Sequence, residues 1–498
     1  MERSSGILLH ISSLPSKYHI GSFGSEAYEF VDYLQKAGQK LWQVLPLNQT
    51  GFGNSPYQSC ASHSYNPFFI SIDILKEKGL LTKKEAKSAQ GSSEKIDYAF
   101  VAQKHFELLR IAFSRFNVND IKFQKFLKEK RYYDYALFMA LKTYNNNSAF
   151  YTWGEGLKRH YKRNLQRFEK SHKQEVLFWQ FVQYEAETQW LNLKKYANER
   201  GISIIGDMPL YVALDSVDVW VNPSLFKLDS NLVPTHVAGV PPDYFSKTGQ
   251  LWGNPVYNYG YHKRHNFSWW VERLTIALNA YDYVRIDHFR GLDRYFEIPN
   301  GAVDATVGEW VSVPSFSMFK QIDKYIGKDR IIAEDLGIID DGVIRLLKHT
   351  GYPGMKILCF AFNGESKNPY LPENLKKNSV CYTGTHDNDT LIGFIRSQSE
   401  WDYNNLQRGV QNSLRKLRLK KDTTNEYDLA EAIIKLGFKS KANTFIIPMQ
   451  DVLFLGTEYR MNTPGTLNND NWAVRFNKKQ FSRMSAKFLR TLTTRYDR

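Results

Sequence analysis

Several carboxylates stand where apolar runs of the sequence end. Asp207, Asp287 and Glu334 each close such a run, and Asp387 follows another within "GTHDND" (384–389). A single acidic residue in this position can cap the next helix, but several like charges in one place cost free energy unless they are used. Two carboxyl groups can cleave a glycosidic bond, one as nucleophile and one as general acid and base. The residues therefore indicate chemistry on a sugar.

The neighbours of these carboxylates suggest how the two roles divide. Arg285 and Asp287 are two residues apart on one predicted strand, so both side chains point to the same side. A guanidinium beside Asp287 would keep that carboxylate ionised, as a nucleophile requires. Glu334 ends the apolar run "IIA", where burial would raise its pKa and favour the protonated acid. Asp335 points the other way by alternation and is interpreted as structural.

His386 and Asp387 follow the small-residue turn "TGTH", which allows close approach to a ligand. An imidazole and a carboxylate there could hold two adjacent sugar hydroxyls, although His386 could also lie behind the residues that touch the sugar. A metal site from His386, Asp387 and Asp207 is conceivable, but no H-x-x-x-H or tight carboxylate loop supports it. The three cysteines form no C-x-x-C pair, and no phosphate-binding GxxxxGK[ST] motif is present. No metal and no cofactor is expected.

The elements that must position these residues are short buried strands alternating with helices. Amphipathic patterns at 26–38, 181–201, 269–281, 316–327 and 341–351 fill most gaps between the strands. This repeated alternation is typical of an α/β (β/α)8 TIM barrel, whose active sites lie at the C-terminal mouth. The eight predicted strands are 6–11, 41–47, 202–207, 282–287, 330–335, 355–360, 379–384 and 444–449.

The length of 498 residues would suit about three domains, but the eight strands predict one catalytic barrel over 1–498. Two gaps are too long for ordinary connections. We expect a loop followed by a mostly helical insertion at 52–174, and a loop-rich insertion over the active site at 208–268.

Three motifs resemble those of the 4-α-glucanotransferases called amylomaltases or disproportionating enzymes, glycoside hydrolase family 77, which is related to the α-amylases. They are "RIDHFRG" (285–291), "AEDLG" (333–337) and "GTHDNDT" (384–390), in that order. Further matches extend the resemblance over nearly the whole chain: "YHIGSFG" (18–24), "NSPYQ" (54–58), "GDMPLYVALDSVDVW" (206–220), "GVPPDYFSKTGQLWGNPVY" (239–257) and "GTEYRMNTPGT" (456–466). The shorter members of this family carry no C-terminal β-sandwich domain, and none is expected here.

Carried over residue by residue, the resemblance implies three catalytic carboxylates. Asp287 is the nucleophile, Glu334 is the general acid/base, and Asp387 binds the sugar hydroxyls and stabilises the transition state. The other implied contacts are Arg285, His386 and Asp207 around the sugar at the scissile bond, Tyr57, Trp252, Asn462 and Pro464 along the glucan groove, and Tyr244 and Phe245 in the loop 239–245, which matches the family's mobile loop. Two departures are Val474, where the family has a second Trp, and Cys359, where it often has Gln.

The resemblance implies a 4-α-glucanotransferase. Such an enzyme moves α-1,4-glucan segments from a donor maltodextrin to the 4-hydroxyl of an acceptor glucan or glucose, by a retaining double displacement through a glycosyl-aspartate. Products would distinguish it from a hydrolase of the same mechanism. A catalytically inactive glucan-binding module is a further alternative, against which the intact set of acids argues.

The net charge of +15 raises a different class, a nucleic-acid-binding or scaffolding protein. Much of the basic excess lies in the runs 128–142, 156–173 and 413–422, which are interpreted as solvated helix faces, and no RRM, KH or helix-turn-helix pattern appears. The expected partners are therefore maltodextrins, maltose, maltotriose and glucose, without nucleic acid. No apolar run is long enough for a signal peptide or a membrane span, so a cytoplasmic location is expected.

Overall fold

The computed structural model describes residues 2–91, 93–242, 246–337 and 339–498. The strands in this part of the chain are β1 (Ser4–Leu8), β2 (Leu41–Gln43), β3 (Ser203–Met208), β4 (His236–Val240), β5 (Gln250–Pro255), β6 (Tyr283–Ile286), β7 (Arg294–Pro299), β8 (Glu309–Ser312), β9 (Ile331–Ala333), β10 (Gly354–Ile357), β11 (Ser379–Tyr382) and β12 (Thr444–Pro448).

Eight of these strands close into a parallel barrel in the order β1-β12-β11-β10-β9-β6-β3-β2. Each overlaps one of the eight predicted strands, so the predicted (β/α)8 barrel is confirmed. The strands are rich in Val and Ile and buried on both faces; Ile204, Ile205, Ile331 and Ile332 are examples. Because all eight run in one direction, the residues that follow them meet at one mouth.

The described helices are α1 (Ser25–Lys36), α2 (Ile72–Glu77), α3 (Lys83–Ser88), α4 (Tyr98–Arg115), α5 (Ile121–Glu129), α6 (Tyr133–Tyr144), α7 (Glu155–Lys158), α8 (Lys162–Ser171), α9 (Lys173–Glu199), α10 (Val217–Val221), α11 (Tyr259–Arg264), α12 (Ser268–Ala280), α13 (Ser315–Ile326), α14 (Asp341–Thr350), α15 (Leu391–Arg396), α16 (Glu400–Lys416), α17 (Glu426–Lys439), α18 (Met449–Val452) and α19 (Arg483–Arg495). The five amphipathic segments of the sequence correspond to α1, α9, α12, α13 and α14. None of the described helices is both long and apolar enough to cross a membrane.

The long connection between β2 and β3 begins as a loop and then carries α2 to α9. Helix α9 leads into β3, and four of the shorter helices before it, α4, α5, α6 and α8, pack against α9. Helix α6 makes the most extensive of these contacts. The division of the chain into one catalytic domain with insertions at 52–174 and 208–268 stays a prediction.

The connection after β3 contains structure that the sequence did not predict. Strands β4 and β5 lie in the segment expected to be loop-rich, and they join β7 and β8 in an antiparallel sheet of order β5-β4-β7-β8. A small apolar cluster that includes Val237, Phe296, Ile298 and Ala305 packs at this sheet. Strands β4 and β5 pair as neighbours in sequence, and so do β7 and β8. The pairing of β4 with β7, however, spans the barrel strand β6, and local patterns alone do not reveal it.

Candidate active site

The strand-end acids come together at the C-terminal mouth of the barrel. Asp207 lies in β3, Asp287 follows β6, Glu334 follows β9, and His386 and Asp387 lie in the loop after β11. A cavity of about 990 Å³ opens over this mouth. The predicted site residues among those that line it are Tyr57, Trp252, Asp287, His386, Asp387, Asn462 and Pro464.

Arg285 stands at the centre of the charged cluster. It pairs in register with Asp207 across β3 and β6, and its Nε lies 3.2 Å from Asp207 Oδ2. Its Nη1 and Nη2 donate to Asp287 Oδ1 at 2.9 and 3.0 Å. The Arg285 side chain is only 3% exposed, so a cation there requires these carboxylate partners. The same bonds fix the orientation of the Asp287 carboxylate.

The two proposed catalytic carboxyls have different pKa values. Burial raises the pKa of Asp287 to about 6, although the charge of Arg285 opposes this rise. Burial and then the charge of Asp287 raise the pKa of Glu334 to about 8. At neutral pH Asp287 is therefore ionised and Glu334 protonated. The sequence correctly predicted the direction for Glu334, but for Asp287 it considered only the guanidinium, and burial outweighs that.

The Glu334 carboxyl is held by backbone amides. Glu334 Oε2 accepts a hydrogen bond from the amide of His288 at 2.7 Å, and Oε1 accepts one from the amide of Leu336 at 2.8 Å. These amides favour the ionised form and partly oppose burial in setting the Glu334 pKa. His288 has φ of 49°, a left-handed backbone that non-glycine residues seldom adopt. The sequence gave His288 no role.

Tyr57 and His386 form one wall of the mouth. The Tyr57 hydroxyl donates to Asp207 Oδ2 at 2.6 Å, and its ring stacks on His386 at 5.1 Å with an interplanar angle of 13°. Trp472 lies 5.7 Å from Tyr57 and 5.8 Å from His386 and lines the same cavity. Trp472, which belongs to "NWAVR" and has φ of 65°, had no predicted role. The rings of Tyr57, His386 and Trp472 pack against one another beside the charged cluster.

Asp387 lies next to His386 and is open to the cavity. Its side chain is 44% exposed, and Asn462 Nδ2 donates to Asp387 Oδ1 at 2.6 Å. His386 Nε2 lies 3.4 Å from the same oxygen. A partly exposed carboxylate next to an imidazole can accept hydrogen bonds from adjacent hydroxyls. Asn462, expected only as a groove residue, therefore also orients Asp387.

The remaining predicted groove residues lie farther along the cavity. Trp252 and Pro464 both line it, and the ring of Trp252 contacts that of His288 edge to face at 4.9 Å. Tyr244 and Phe245, expected to form the lid, lie outside the described residues.

The two departures from the family pattern do not line the cavity. Val474 is buried in the hydrophobic core, and Cys359 packs against that core, with burial raising the pKa of its thiol well above the ordinary value.

Two further strand-end acids are held by structural hydrogen bonds. Asp335 accepts a hydrogen bond from the Met355 amide at 2.5 Å and pairs with Lys356 at 3.0 Å. These contacts agree with the structural role predicted for Asp335 from the sequence. Asp451 is bonded by the Thr383 hydroxyl at 2.5 Å and the Leu391 amide at 2.7 Å. Among the described residues, no group of three His, Cys, Asp or Glu side chains is arranged to hold a metal ion.

Comparison with known proteins gives consistent matches over the whole chain. The sequence model of a family described as 4-alpha-glucanotransferase matches residues 9–480. A 4-alpha-glucanotransferase of Clostridium butyricum is 44% identical and covers 98% of this chain and 100% of its own length, and one of Streptococcus pneumoniae is 42% identical over 100% and 98%. The solved amylomaltase of Streptococcus agalactiae, in complex with acarbose, superimposes with a TM-score of 0.94 at 38% identity and covers 100% of both chains.

Proposed function

Since the chain belongs to the 4-alpha-glucanotransferase family, glycoside hydrolase family 77, we propose that this enzyme transfers α-1,4-glucan segments by a retaining double displacement. The donor is a maltodextrin, down to maltotriose or maltose, and the acceptor is the 4-hydroxyl of another glucan or of glucose. The acarbose bound to the Streptococcus agalactiae amylomaltase supports this class of ligand. The observation that carries the proposal is the pair of partly buried carboxyls, Asp287 and Glu334, whose pKa values differ in the sense the two roles require.

In the first step Glu334 donates its proton to the glycosidic oxygen while the Asp287 carboxylate attacks the anomeric carbon. The bond from that carbon to the oxygen breaks, an ester bond to Asp287 forms, and the shortened glucan leaves with a new 4-hydroxyl. Because Arg285 holds Asp287 Oδ1, the other carboxylate oxygen is the attacking atom. With a pKa of about 8, Glu334 still carries its proton at neutral pH, and that pKa is near enough to neutrality for efficient transfer.

In the second step the ionised Glu334 removes the proton from the 4-hydroxyl of an acceptor. The acceptor oxygen attacks the anomeric carbon, the ester bond to Asp287 breaks, and an α-1,4 bond forms again. Two inversions retain the anomeric configuration. Transfer rather than hydrolysis requires that the acceptor reach the intermediate before water does.

The surrounding residues bind the sugar at the scissile bond and along the groove. Asp387 and His386 accept and donate hydrogen bonds at adjacent hydroxyls, and Asp387 stabilises the positive charge that develops on the sugar ring. Arg285 and Asp207 complete the contacts around the same sugar. Neighbouring glucose units lie along Tyr57, Trp252, Asn462 and Pro464.

Product analysis from maltotriose tests this proposal. The enzyme should yield glucose and a ladder of longer maltodextrins, whereas a hydrolase would yield only shorter sugars and a net gain of reducing ends. Asp287→Asn and Glu334→Gln should be nearly inactive. Glu365→Gln, which changes an exposed glutamate that does not line the cavity, is the matched control and should keep full activity. A fully active Asp287→Asn enzyme would refute the assigned nucleophile.

A further inference from the structure

Two segments that are distant in sequence meet at the Asp387 side of the mouth. One is the loop 383–390 after β11, and the other is the segment 456–466 after α18. The amide of Asn462 donates to the His386 carbonyl at 3.1 Å, and the Asn462 side chain donates to Asp387 Oδ1 at 2.6 Å. The direction in which Asp387 points therefore depends on how these two segments are held together.

Arg460 joins the two backbones. Its Nη2 donates to the carbonyl of Asp387 at 2.7 Å, and its Nε donates to the carbonyl of Asn462 at 2.8 Å. No carboxylate among the described residues forms an ion pair with Arg460, so its hydrogen bonds here go to backbone carbonyls. A guanidinium presents its donors in a rigid planar fork. The Arg460 side chain thus fixes the position of Asn462 relative to Asp387, whose Oδ1 accepts the hydrogen bond from Asn462.

We infer that Arg460 is a positioning residue for the transfer reaction, because it holds the Asp387 carboxylate and its Asn462 partner in the orientation that the sugar requires. This inference rests on the proposed function of Asp387. Arg460 acts through Asp387, because its Nε and Nη2 donate to the carbonyls of Asn462 and Asp387. Lysine keeps the charge but lacks the fork, so it cannot bridge both carbonyls in the same geometry.

Loss of the fork should affect the rate more than binding. A displacement of about 1 Å at a catalytic group can cost about 10²-fold in rate, so we expect Arg460→Ala to lower kcat by about that factor. The KM for maltotriose should change much less, because the other contacts to the sugar remain. Arg460→Lys should recover little of the loss, whereas added guanidinium ion should restore part of the activity of Arg460→Ala.

Arg330 offers a matched control in the same barrel. It also donates to backbone carbonyls, those of Leu278, Tyr281 and Asp282, at 2.7 to 3.0 Å, but it lies just before β9, at the end of the barrel opposite the mouth. Arg330→Ala should lower the melting temperature and leave kcat of the folded enzyme unchanged. If Arg460→Ala behaves in the same way, with kcat of the folded enzyme intact, the inference is wrong.

A double-mutant cycle separates this inference from the proposed function. Asp387→Asn, Arg460→Ala and the double variant are compared by their rates with an α-maltosyl fluoride donor, which keeps weak activities measurable. If Arg460 acts through Asp387, its replacement costs little more once Asp387 is already Asn. Independent, multiplicative losses would overturn the inference and leave the role of Asp387 standing. An unimpaired Asp387→Asn enzyme would instead refute the proposed role of Asp387.

Discussion

The pH dependence of the first chemical step is the sharpest consequence of the site. The reactive state has Asp287 ionised and Glu334 protonated. With pKa values of about 6 and about 8, the fraction of enzyme in this state is about 0.8 at pH 7 and about 0.09 at both pH 5 and pH 9. The value of kcat/KM should therefore fall roughly ninefold from pH 7 to pH 5, and by the same factor from pH 7 to pH 9. The acid limb rises with pH because Asp287 must lose its proton, and the alkaline limb falls because Glu334 must keep its own.

Replacing the leaving group distinguishes the two limbs. Fluoride leaves without protonation, so kcat/KM for α-maltotriosyl fluoride should lose the alkaline limb and keep the acid limb. The Glu334→Gln variant should show the same single-limbed profile with the fluoride and almost no activity on maltotriose. Profiles are measured at constant ionic strength by fluoride release for the one donor and by glucose release for the other. An alkaline limb of unchanged size with the fluoride, or the absence of an acid limb, would refute the assignment of the two carboxyls.

Three further predictions concern single contacts. Tyr57→Phe removes the hydroxyl that lies 2.6 Å from Asp207. The lost hydrogen bond to a charged group should raise the activation free energy by about 1.5–3 kcal/mol, which appears as a lower kcat/KM for maltotriose. An unchanged kcat/KM would contradict this prediction. Trp252→Ala should raise KM for maltotetraose by about two- to tenfold, because an aromatic contact along the groove contributes about 0.5–1.5 kcal/mol to binding. An effect on kcat alone would count against a role of Trp252 in the groove. Asp340 caps α14 by accepting hydrogen bonds from the amides at 342 and 343, and it also accepts one from Arg290 Nη2 at 2.9 Å. Asp340→Ala should lower the free energy of unfolding by about 0.5–2 kcal/mol, as measured by urea denaturation. Equal stability of the two proteins would show that the cap is dispensable.

The sequence alone determined the barrel and the identity of its strand-end acids. Buried parallel strands are short runs rich in Val and Ile with polar residues after them, and this signal is local, so eight runs predicted eight strands. Parallel strands in a barrel end at one mouth, which predicts that Asp207, Asp287 and Glu334 approach one another. The motifs around these residues then pointed to one family, to which the chain belongs.

Only the tertiary structure decided what depends on distant contacts and on burial. In the sheet of β4, β5, β7 and β8, the pairing of β4 with β7 spans the barrel strand β6, so that pairing has no local signature. The pKa of Asp287 depends on how far folding removes water from the site, and burial there outweighs the neighbouring guanidinium. Arg460 and Trp472 reach the site from segments that follow the last barrel strand. Their roles come from packing against residues tens to hundreds of positions earlier, a relation that periodicity and spacing do not contain.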